Sequence, residues 1–248
     1  MSTSHVGLRI NPDKLARVTI VHEDEDLLIV GKPGTIAVHG GAGEARATLI
    51  DLVAEAYEAP VDLHLVHRLD KGTSGIVAIA KSRDAKLEIS RAWADAQKLY
   101  LAVVFGSLSG PRVLTDPVEH RGELRSAETR LVPIAALDRL EPAACLVRIE
   151  LLTGRTHQIR QHFAEAGHPV AFDDQHGDFA KNRALHKSGK ALGLSKKTLL
   201  LHAVSLELNH PRSGRRMRFT LSPPWAEAVL RASSALSSTP ELISRSLG

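Results

Sequence analysis

The segment HRLDKGTSG, residues 67–75, holds charged side chains between two stretches that read as core strands. Arg68, Asp70 and Lys71 follow the apolar run 63–66 and precede GIVAIA at 75–80. A carboxylate that leaves a rigid strand beside glycines, which let another backbone approach closely, is a candidate catalytic group. The alternative is that Asp70 caps a turn and Arg68 pairs with it.

A second polar cluster lies in LLTGRTHQIRQHFAEAGHP, residues 151–169, where a strand ends at Gly154 and an amphipathic helix begins. The first turns of that helix hold four basic residues: Arg155, His157, Arg160 and His162. Free N–H groups at a helix start favour anions, and arginines add to that preference. The cluster therefore suits a phosphate or a carboxylate such as Asp70, unless it is simply a solvated basic face.

Other chemistries fit these residues poorly. His157 and His162 are five apart, so they do not share a helix face as two metal ligands would, and we expect no metal site. HGGAGE at 39–44 lacks the phosphate-binding GxxxxGK[ST] pattern. A glycosidase needs two carboxylates, and only Asp70 has a suitable setting.

Composition indicates an ordinary globular protein of 248 residues, 43% hydrophobic and 24% charged. We expect it to be soluble and cytoplasmic, because no apolar run approaches the roughly 20 residues that span a bilayer. The single cysteine, Cys145, lies in an apolar run and is expected to be an inert buried thiol. The net charge of +4 is concentrated in clusters that suit a polyanionic partner or solvated loops. These clusters are 121–130, 181–190, 196–197 and 212–218.

The order of elements favours an α+β fold, with a mixed, largely antiparallel sheet and flanking helices, because strands follow one another through short polar turns. We expect an extension at 1–17, a catalytic domain at 18–231 and a flexible tail at 232–248. Two short strands are expected within 18–33, one on each side of the acidic turn 23–26. Further strands are expected near 63–66, 75–81, 98–105, 127–136, 144–152, 199–208 and 215–221. Helices are expected near 46–58, 85–96, 156–166 and 225–236.

Four ordered motifs resemble the RluA family of pseudouridine synthases over about residues 18–225. They are HRLDKGTSGIVAIAKS, LYLAVVFG, TGRTHQIRQHFAEAGHPVAFDD and LHAVSLELNHPRSG. Within the family, AVHGG at 37–41 and GHPVAFDDQHGD at 167–178 look most like the subtype C enzymes, which modify large-subunit (23S) ribosomal RNA. The resemblance implies a pseudouridine synthase catalytic fold and an RNA partner.

The resemblance also implies a mechanism without cofactor or metal, because uridine is isomerised by moving the sugar from N1 to C5 of the same base. Asp70 would be the catalytic carboxylate, Arg160 the basic residue paired with it, and Tyr100 the ring that stacks on the flipped uracil. Taken alone, Tyr100 could equally be a half-buried strand aromatic. Arg68 would fill the place of the flipped base, and we expect four residues to contact RNA: Arg68, Lys71, Arg155 and His157.

The sequence departs from the family pattern at two loops, which leave the catalytic aspartate untouched, and at the N-terminus, which bears on the RNA target. Lys32-Pro-Gly-Thr35 differs from the usual KP[AS]G, and His176 stands where a tyrosine is common. Only about 17 residues precede the catalytic region, so no S4 RNA-binding domain is expected in this chain.

Three alternatives to a ribosomal pseudouridine synthase are considered. They are a transfer-RNA enzyme of the same family, a catalytically idle RNA-binding module and a metal-dependent hydrolase. We expect a monomer.

Overall fold

The computed structural model describes residues 11, 15, 17–40, 47–57, 59–195 and 198–247. The chain divides into two compact units, each described by itself below. Unit 1 comprises 1–96 and 207–220, and unit 2 comprises 97–206 and 221–248. Most of the expected extension at 1–17, residues 41–44 of the glycine-rich loop, and Lys196 and Lys197 lie outside the described residues.

Twelve strands and six α-helices follow one another along the described residues. The strands are β1 Thr19–Glu23, β2 Leu27–Lys32, β3 His64–Leu65, β4 Ser74–Ala80, β5 Gln97–Phe105, β6 Arg112–Leu114, β7 Val118–His120, β8 Glu123–Arg125, β9 Thr129–Ala136, β10 Ala144–Leu151, β11 Leu201–Asn209 and β12 Arg216–Thr220. The helices are α1 Leu49–Ala56, α2 Arg83–Arg91, α3 Gln158–Glu165, α4 Phe179–Gly189, α5 Ala226–Ala232 and α6 Thr239–Leu247.

In unit 1, strands β2 and β4 form a buried antiparallel pair. Every residue of both strands is buried, which matches the apolar runs at 27–31 and 75–80 because a strand covered on both faces does not alternate. The register places Lys32, the last residue of β2, opposite Gly75 near the start of β4. This pairing brings the end of β2 to the loop that carries Asp70.

In unit 2, the strand order is β11, β5, β10, β9, β6, and the hairpin β7–β8 forms a separate small sheet. The β5–β10, β10–β9 and β9–β6 pairs are antiparallel. Leu101, Val103 and Phe105 of β5 face a core that also contains Leu185 of α4, Val229 of α5 and Leu242 of α6. Helix α3 contacts β7 and β9.

The expected α+β class with a largely antiparallel sheet is confirmed. The longer expected strands and helices occur within a few residues of their expected ends, whereas α4, α6 and the short strands β6–β8 had no expected counterpart. The sequence pattern does not predict helix α4, because its residues are largely basic and its apolar residues do not recur at helical spacing. No helix in the described part of the chain is long and apolar enough to cross a membrane.

The C-terminal residues differ from the expected flexible tail. Residues 239–247 form α6, which contacts α5 and β5, and Leu242 is fully buried. The Glu241 carboxylate accepts hydrogen bonds from the backbone N–H and the hydroxyl of Ser237, which closes the start of the helix. A Ser-rich sequence with few apolar residues suggested weak packing, but Leu236 and Leu242 both join the core.

We therefore expect Leu242→Ala to lower the free energy of unfolding by about 2–5 kcal/mol, the usual cost of removing a fully buried leucine side chain. The measurement is urea unfolding followed by circular dichroism. Arg245→Gln, at an exposed position of the same helix, should change stability by less than about 0.5 kcal/mol. If both variants were as stable as the wild type, α6 would not be a stable part of the core.

Candidate active site

The loop that carries Asp70 is a tight turn directly before β4. The backbone N–H of Thr73 donates to the Asp70 carbonyl oxygen at 3.0 Å. Leu69 is buried and Asp70 is half-buried, so the carboxylate has a packed residue before it and a buried strand after it. Gly75 has φ 120, a conformation that side chains rarely adopt, which accounts for the glycine.

Lys32 lies beneath this loop and had no predicted role. Its ammonium donates to the carbonyl oxygens of Pro33 at 3.0 Å, Ile36 at 2.8 Å and Lys71 at 3.1 Å. Three acceptors satisfy all three N–H donors of a lysine that is only 2% exposed. Lys32 thus ties the Asp70 loop to the end of β2, and the sequence signal was a lysine at the end of an otherwise apolar strand.

The charge state of Lys32 is sensitive to its surroundings. Burial lowers the pKa of Lys32 to about 7, and the negative charge of Asp70 acts in the opposite direction. A lysine pKa this far below the ordinary value is rare, and it occurs mainly in functional sites and in buried structural networks. Asp70 is therefore electrostatically coupled to a buried cation.

Two of the residues expected to contact RNA flank Asp70 in unit 1. Arg68 and Lys71 are both exposed. The Arg68 guanidinium lies 3.1 Å from Nε2 of His39, within the AVHGG segment. Cationic side chains that point to solvent beside a candidate catalytic carboxylate are available to contact phosphate.

Helix α3 is not the solvated basic face that was the alternative for this segment. All residues from Gln158 to Phe163 are buried, including Arg160 and His162. His157, the N-cap, has a left-handed conformation with φ 50 and ψ 23, which turns the chain sharply into the helix. The polar residues of α3 are therefore committed to internal contacts.

Gln158 and His162 anchor α3 to the first residue of β9. The Gln158 side-chain amide donates to Thr129 Oγ1 at 2.9 Å and to the Glu128 carbonyl oxygen at 3.0 Å. Nδ1 of His162 lies 2.9 Å from Thr129 Oγ1, and Nε2 lies 2.8 Å from the Asp116 carbonyl oxygen. With both ring nitrogens occupied, His162 positions the helix and has no nitrogen left for a ligand.

Arg160 projects from α3 into a buried ion pair with Asp173. Nε donates to Oδ2 at 2.7 Å and Nη2 donates to Oδ1 at 2.8 Å, so the contact is bidentate. Burial raises the pKa of Asp173, but hydrogen bonds from Arg160 and from the backbone N–H groups of His176 and Gln175 outweigh it, so the net shift is downward. Asp173 had no predicted role.

The other predicted residues of unit 2 lie on β5 and at the start of α3. Tyr100 is buried on β5, opposite Ile149 of β10. Arg155 is half-buried and donates through Nε to the Ser126 carbonyl oxygen at 3.3 Å. Nδ1 of His157 lies 3.0 Å from Nε2 of His176, the histidine at the common tyrosine position.

One group in the described part of the chain has metal-ligand spacing, and none of the histidines considered from the sequence belongs to it. The group is Asp24, Asp26 and His210 in unit 1. Its carboxylates are already engaged, because Asp24 pairs with His22 at 2.6 Å and Asp26 pairs with Arg212 at 2.7 Å. These contacts explain the cluster as an ion-pair network.

Residues 26–165 match the family model described as RNA pseudouridylate synthase. The chain is 37% identical over 224 residues to "Ribosomal large subunit pseudouridine synthase C" of Escherichia coli strain K12, covering 86% of this chain and 68% of that protein. The protein of the same name from Haemophilus influenzae is 39% identical over 215 residues, covering 82% of this chain and 64% of that protein.

Two solved structures share the fold. "Human RNA Pseudouridylate Synthase Domain Containing 1" superimposes with a TM-score of 0.72 at 21% identity, covering 94% of this chain and 95% of the human chain. "Human RNA Pseudouridylate Synthase Domain Containing 4" gives 0.67 at 22% identity, covering 86% and 92%. At these identities the comparison establishes the fold alone.

Lys32 predicts a pH dependence of stability. Between about pH 7 and pH 10 the unfolded chain holds a proton on this lysine that the folded chain has released, so stability rises with pH in that window. Lys32→Met removes this contribution. The unfolding free energy of the wild type minus that of Lys32→Met should therefore increase by up to about 1.4 kcal/mol for each unit that the pH rises from 7 to 10. A difference that stays constant from pH 7 to pH 10 in urea titrations would contradict the lowered pKa.

The ion pair in unit 2 gives a second stability prediction. Asp173→Asn keeps the shape but leaves the Arg160 guanidinium buried without its counter-charge, and we expect a loss of about 3–5 kcal/mol. Replacing both residues with apolar ones, Arg160→Met with Asp173→Leu, should recover only part of that loss. The unpaired charge is removed, but the backbone N–H groups of Gln175 and His176 lose their acceptor. Urea unfolding measures both, and a single variant within about 1 kcal/mol of wild type would show that the pair is not tightly coupled.

Proposed function

Because this chain belongs to the RNA pseudouridylate synthase family, we propose that it converts specific uridines of large-subunit ribosomal RNA to pseudouridine. It is an RNA pseudouridine synthase, an isomerase. The single observation that carries the ribosomal target is its similarity to the Escherichia coli and Haemophilus influenzae proteins, whose names state that target. The AVHGG and AFDDQHGD loops resemble subtype C and support the same choice.

Asp70 is the proposed catalytic carboxylate. The reaction breaks the bond between C1′ of the ribose and N1 of uracil, turns the base, and joins C1′ to C5. C5 then loses its proton and N1 gains one, so the isomerisation needs no oxidant or reductant. The carboxylate assists that exchange by attack on the sugar or the base, or by removal of a sugar proton. The tight turn after Asp70 and the buried ammonium of Lys32 beneath it support this role, because a catalytic group must be held rigidly.

Arg160 and Tyr100 complete the proposed catalytic set. By resemblance, Arg160 pairs with Asp70 and keeps its carboxylate ionised and oriented. Its bidentate contact with Asp173 fixes the guanidinium in one direction, which suits a residue whose task is orientation. Tyr100 supplies the aromatic ring that stacks on the target uracil once the base has been flipped out of the RNA, at a cost of a few kcal/mol.

The proposal places the RNA backbone along the cationic side chains that remain accessible. Exposed Arg68 and Lys71, and half-buried Arg155 and His157, are the proposed RNA contacts. Arg68 fills the space that the flipped base vacates. The enzyme needs no metal or cofactor in this scheme, acts as a monomer, and works in the cytoplasm, where ribosomal RNA is found.

Two alternatives remain open to experiment. A transfer-RNA enzyme of the same family would share the Asp70 chemistry and differ in target. A catalytically idle RNA-binding module would bind RNA and leave uridine unchanged. Mapping pseudouridine in cells with and without this gene distinguishes the proposed function from these two alternatives. Loss of modification in 23S RNA alone supports the proposal, loss in transfer RNA alone indicates the first alternative, and no change in either indicates the second.

We predict that Asp70→Asn abolishes pseudouridine formation and leaves RNA affinity within a few fold of wild type, because the amide keeps the shape but loses the charge and the nucleophile. The measurement pairs tritium release from C5-labelled transcript with filter binding. Adding a chelator should not change wild-type turnover. Near-wild-type turnover by Asp70→Asn would exclude Asp70 from the chemistry.

A further inference from the structure

Helix α4 presents a stripe of exposed residues that the proposed mechanism does not use. Phe179, Arg183 and Lys187 are spaced four residues apart and share one side of the helix. Lys190 follows three residues later in the short 3-10 helix that continues α4. All four residues are exposed, whereas Leu185 and Gly189 are buried. We call these four residues the α4 stripe.

Phe179 is unusual in this setting. It is 72% exposed, and it begins a helix whose other exposed large side chains are cationic. A lone exposed apolar residue needs no explanation by itself. An aromatic ring aligned with an arginine and two lysines, however, has the composition of single-stranded RNA sites, where rings stack on bases and cations follow the phosphates.

The charge of the stripe is not neutralised by neighbours. Asp178 is the adjacent acid, and its carboxylate caps the helix by accepting the N–H of Lys181 at 2.9 Å and pairs with the Lys181 ammonium at 3.5 Å. In the described part of the chain, the charged ends of Arg183 and Lys187 make no ion pair. The stripe therefore offers positive charge to a polyanion without first breaking a salt bridge.

Contacts within unit 2 connect the stripe to Arg160. Asn182, next to Arg183 in sequence, accepts the N–H of Phe172 at 2.7 Å and donates to the Asp173 carbonyl oxygen at 3.1 Å. The Asp173 side chain holds Arg160. Gly177 packs so tightly here that a Cβ would lie 2.1 Å from the Asp173 carbonyl oxygen. The stripe is thus rigidly placed relative to a residue proposed to act in catalysis.

We propose that the α4 stripe binds the RNA substrate beside the target nucleotide, with Phe179 stacking on an unpaired base and Arg183, Lys187 and Lys190 contacting the phosphates that follow it. The proposal rests on the RNA substrate of the proposed function but not on which uridine is modified. The occupant is a loop or single-stranded segment, because the bases of a duplex are stacked on one another and do not expose a face to a side chain.

Substitutions at Phe179 separate stacking from simple apolar contact. Phe179→Ala and Phe179→Leu should both weaken binding to a 23S transcript by about 10-fold, within the range expected for one stacked base. Phe179→Trp should bind as the wild type does, and its added fluorescence should be quenched by RNA. Leu87→Ala removes an exposed apolar side chain from α2 and should change nothing.

Two outcomes of that series would overturn the proposal. One is unchanged affinity of Phe179→Ala. The other is wild-type affinity of Phe179→Leu together with a change in oligomeric state of Phe179→Ala by size-exclusion chromatography, which would make Phe179 a contact between protein copies. Circular dichroism confirms that each variant is folded.

The cationic part of the stripe has its own readout. Arg183→Gln with Lys187→Gln should flatten the dependence of log Kd on log salt by about 1.4, since each single-strand phosphate contact contributes about 0.7. Phe179→Ala should leave that slope unchanged. An equal flattening by the matched control Arg83→Gln with Lys86→Gln, on α2, would reduce the effect to net charge and overturn the assignment.

Measuring turnover in the same samples distinguishes failure of the proposed function from failure of the proposed RNA binding by the α4 stripe. Wild-type protein that binds the 23S transcript without modifying it would overturn the ribosomal target, while the affinities of the α4 variants would still test the stripe. Phe179→Ala should raise KM with little change in kcat, because the stripe binds RNA outside the reacting atoms. A fall in kcat at saturating RNA with unchanged KM would overturn a binding role.

Discussion

The buried ion pair between Arg160 and Asp173 is the constraint around which the polar region of unit 2 is built. Two charges inside a protein are costly unless both are well paired and hydrogen-bonded. Here the arginine contact is bidentate, and two backbone N–H groups also donate to the carboxylate. These contacts hold the loop 172–177 against α3, and Asn182 attaches α4 to the same loop.

Unit 1 also contains a buried cationic side chain, which is a lysine instead of an arginine. Lys32 brings a buried ammonium to the loop of Asp70, where three carbonyl oxygens replace the water it has lost. A lysine is suited to this position because its three donors can be directed at separate carbonyl groups. In each unit, a buried cation fixes a loop that carries or supports a proposed catalytic residue, and rigid support of this kind is what precise chemistry requires.

The proposed RNA-binding residues differ from these supports in exposure. Arg68, Lys71 and the α4 stripe point to solvent, whereas Arg160 and Asp173 are inside. This division follows from the chemistry, because phosphate contacts can be made at the surface with little desolvation, whereas orientation of a catalytic group benefits from burial. The same residue type, arginine, therefore serves two purposes according to where the fold places it.

The sequence alone determined the main strands, the α+β class and the motifs around Asp70, Tyr100 and Arg160, because long apolar runs and motif spacing are local properties of the chain. It did not show that Lys32 and Asp173 are buried supports, that His162 is structural, or that residues 239–247 form a packed helix. Most of those features depend on partners distant in sequence: Lys32 reaches Lys71, His162 reaches Asp116, and Leu242 joins the core that contains β5. Only the tertiary structure decides them, because burial and the pairing of charges arise when segments far apart in the chain come into contact.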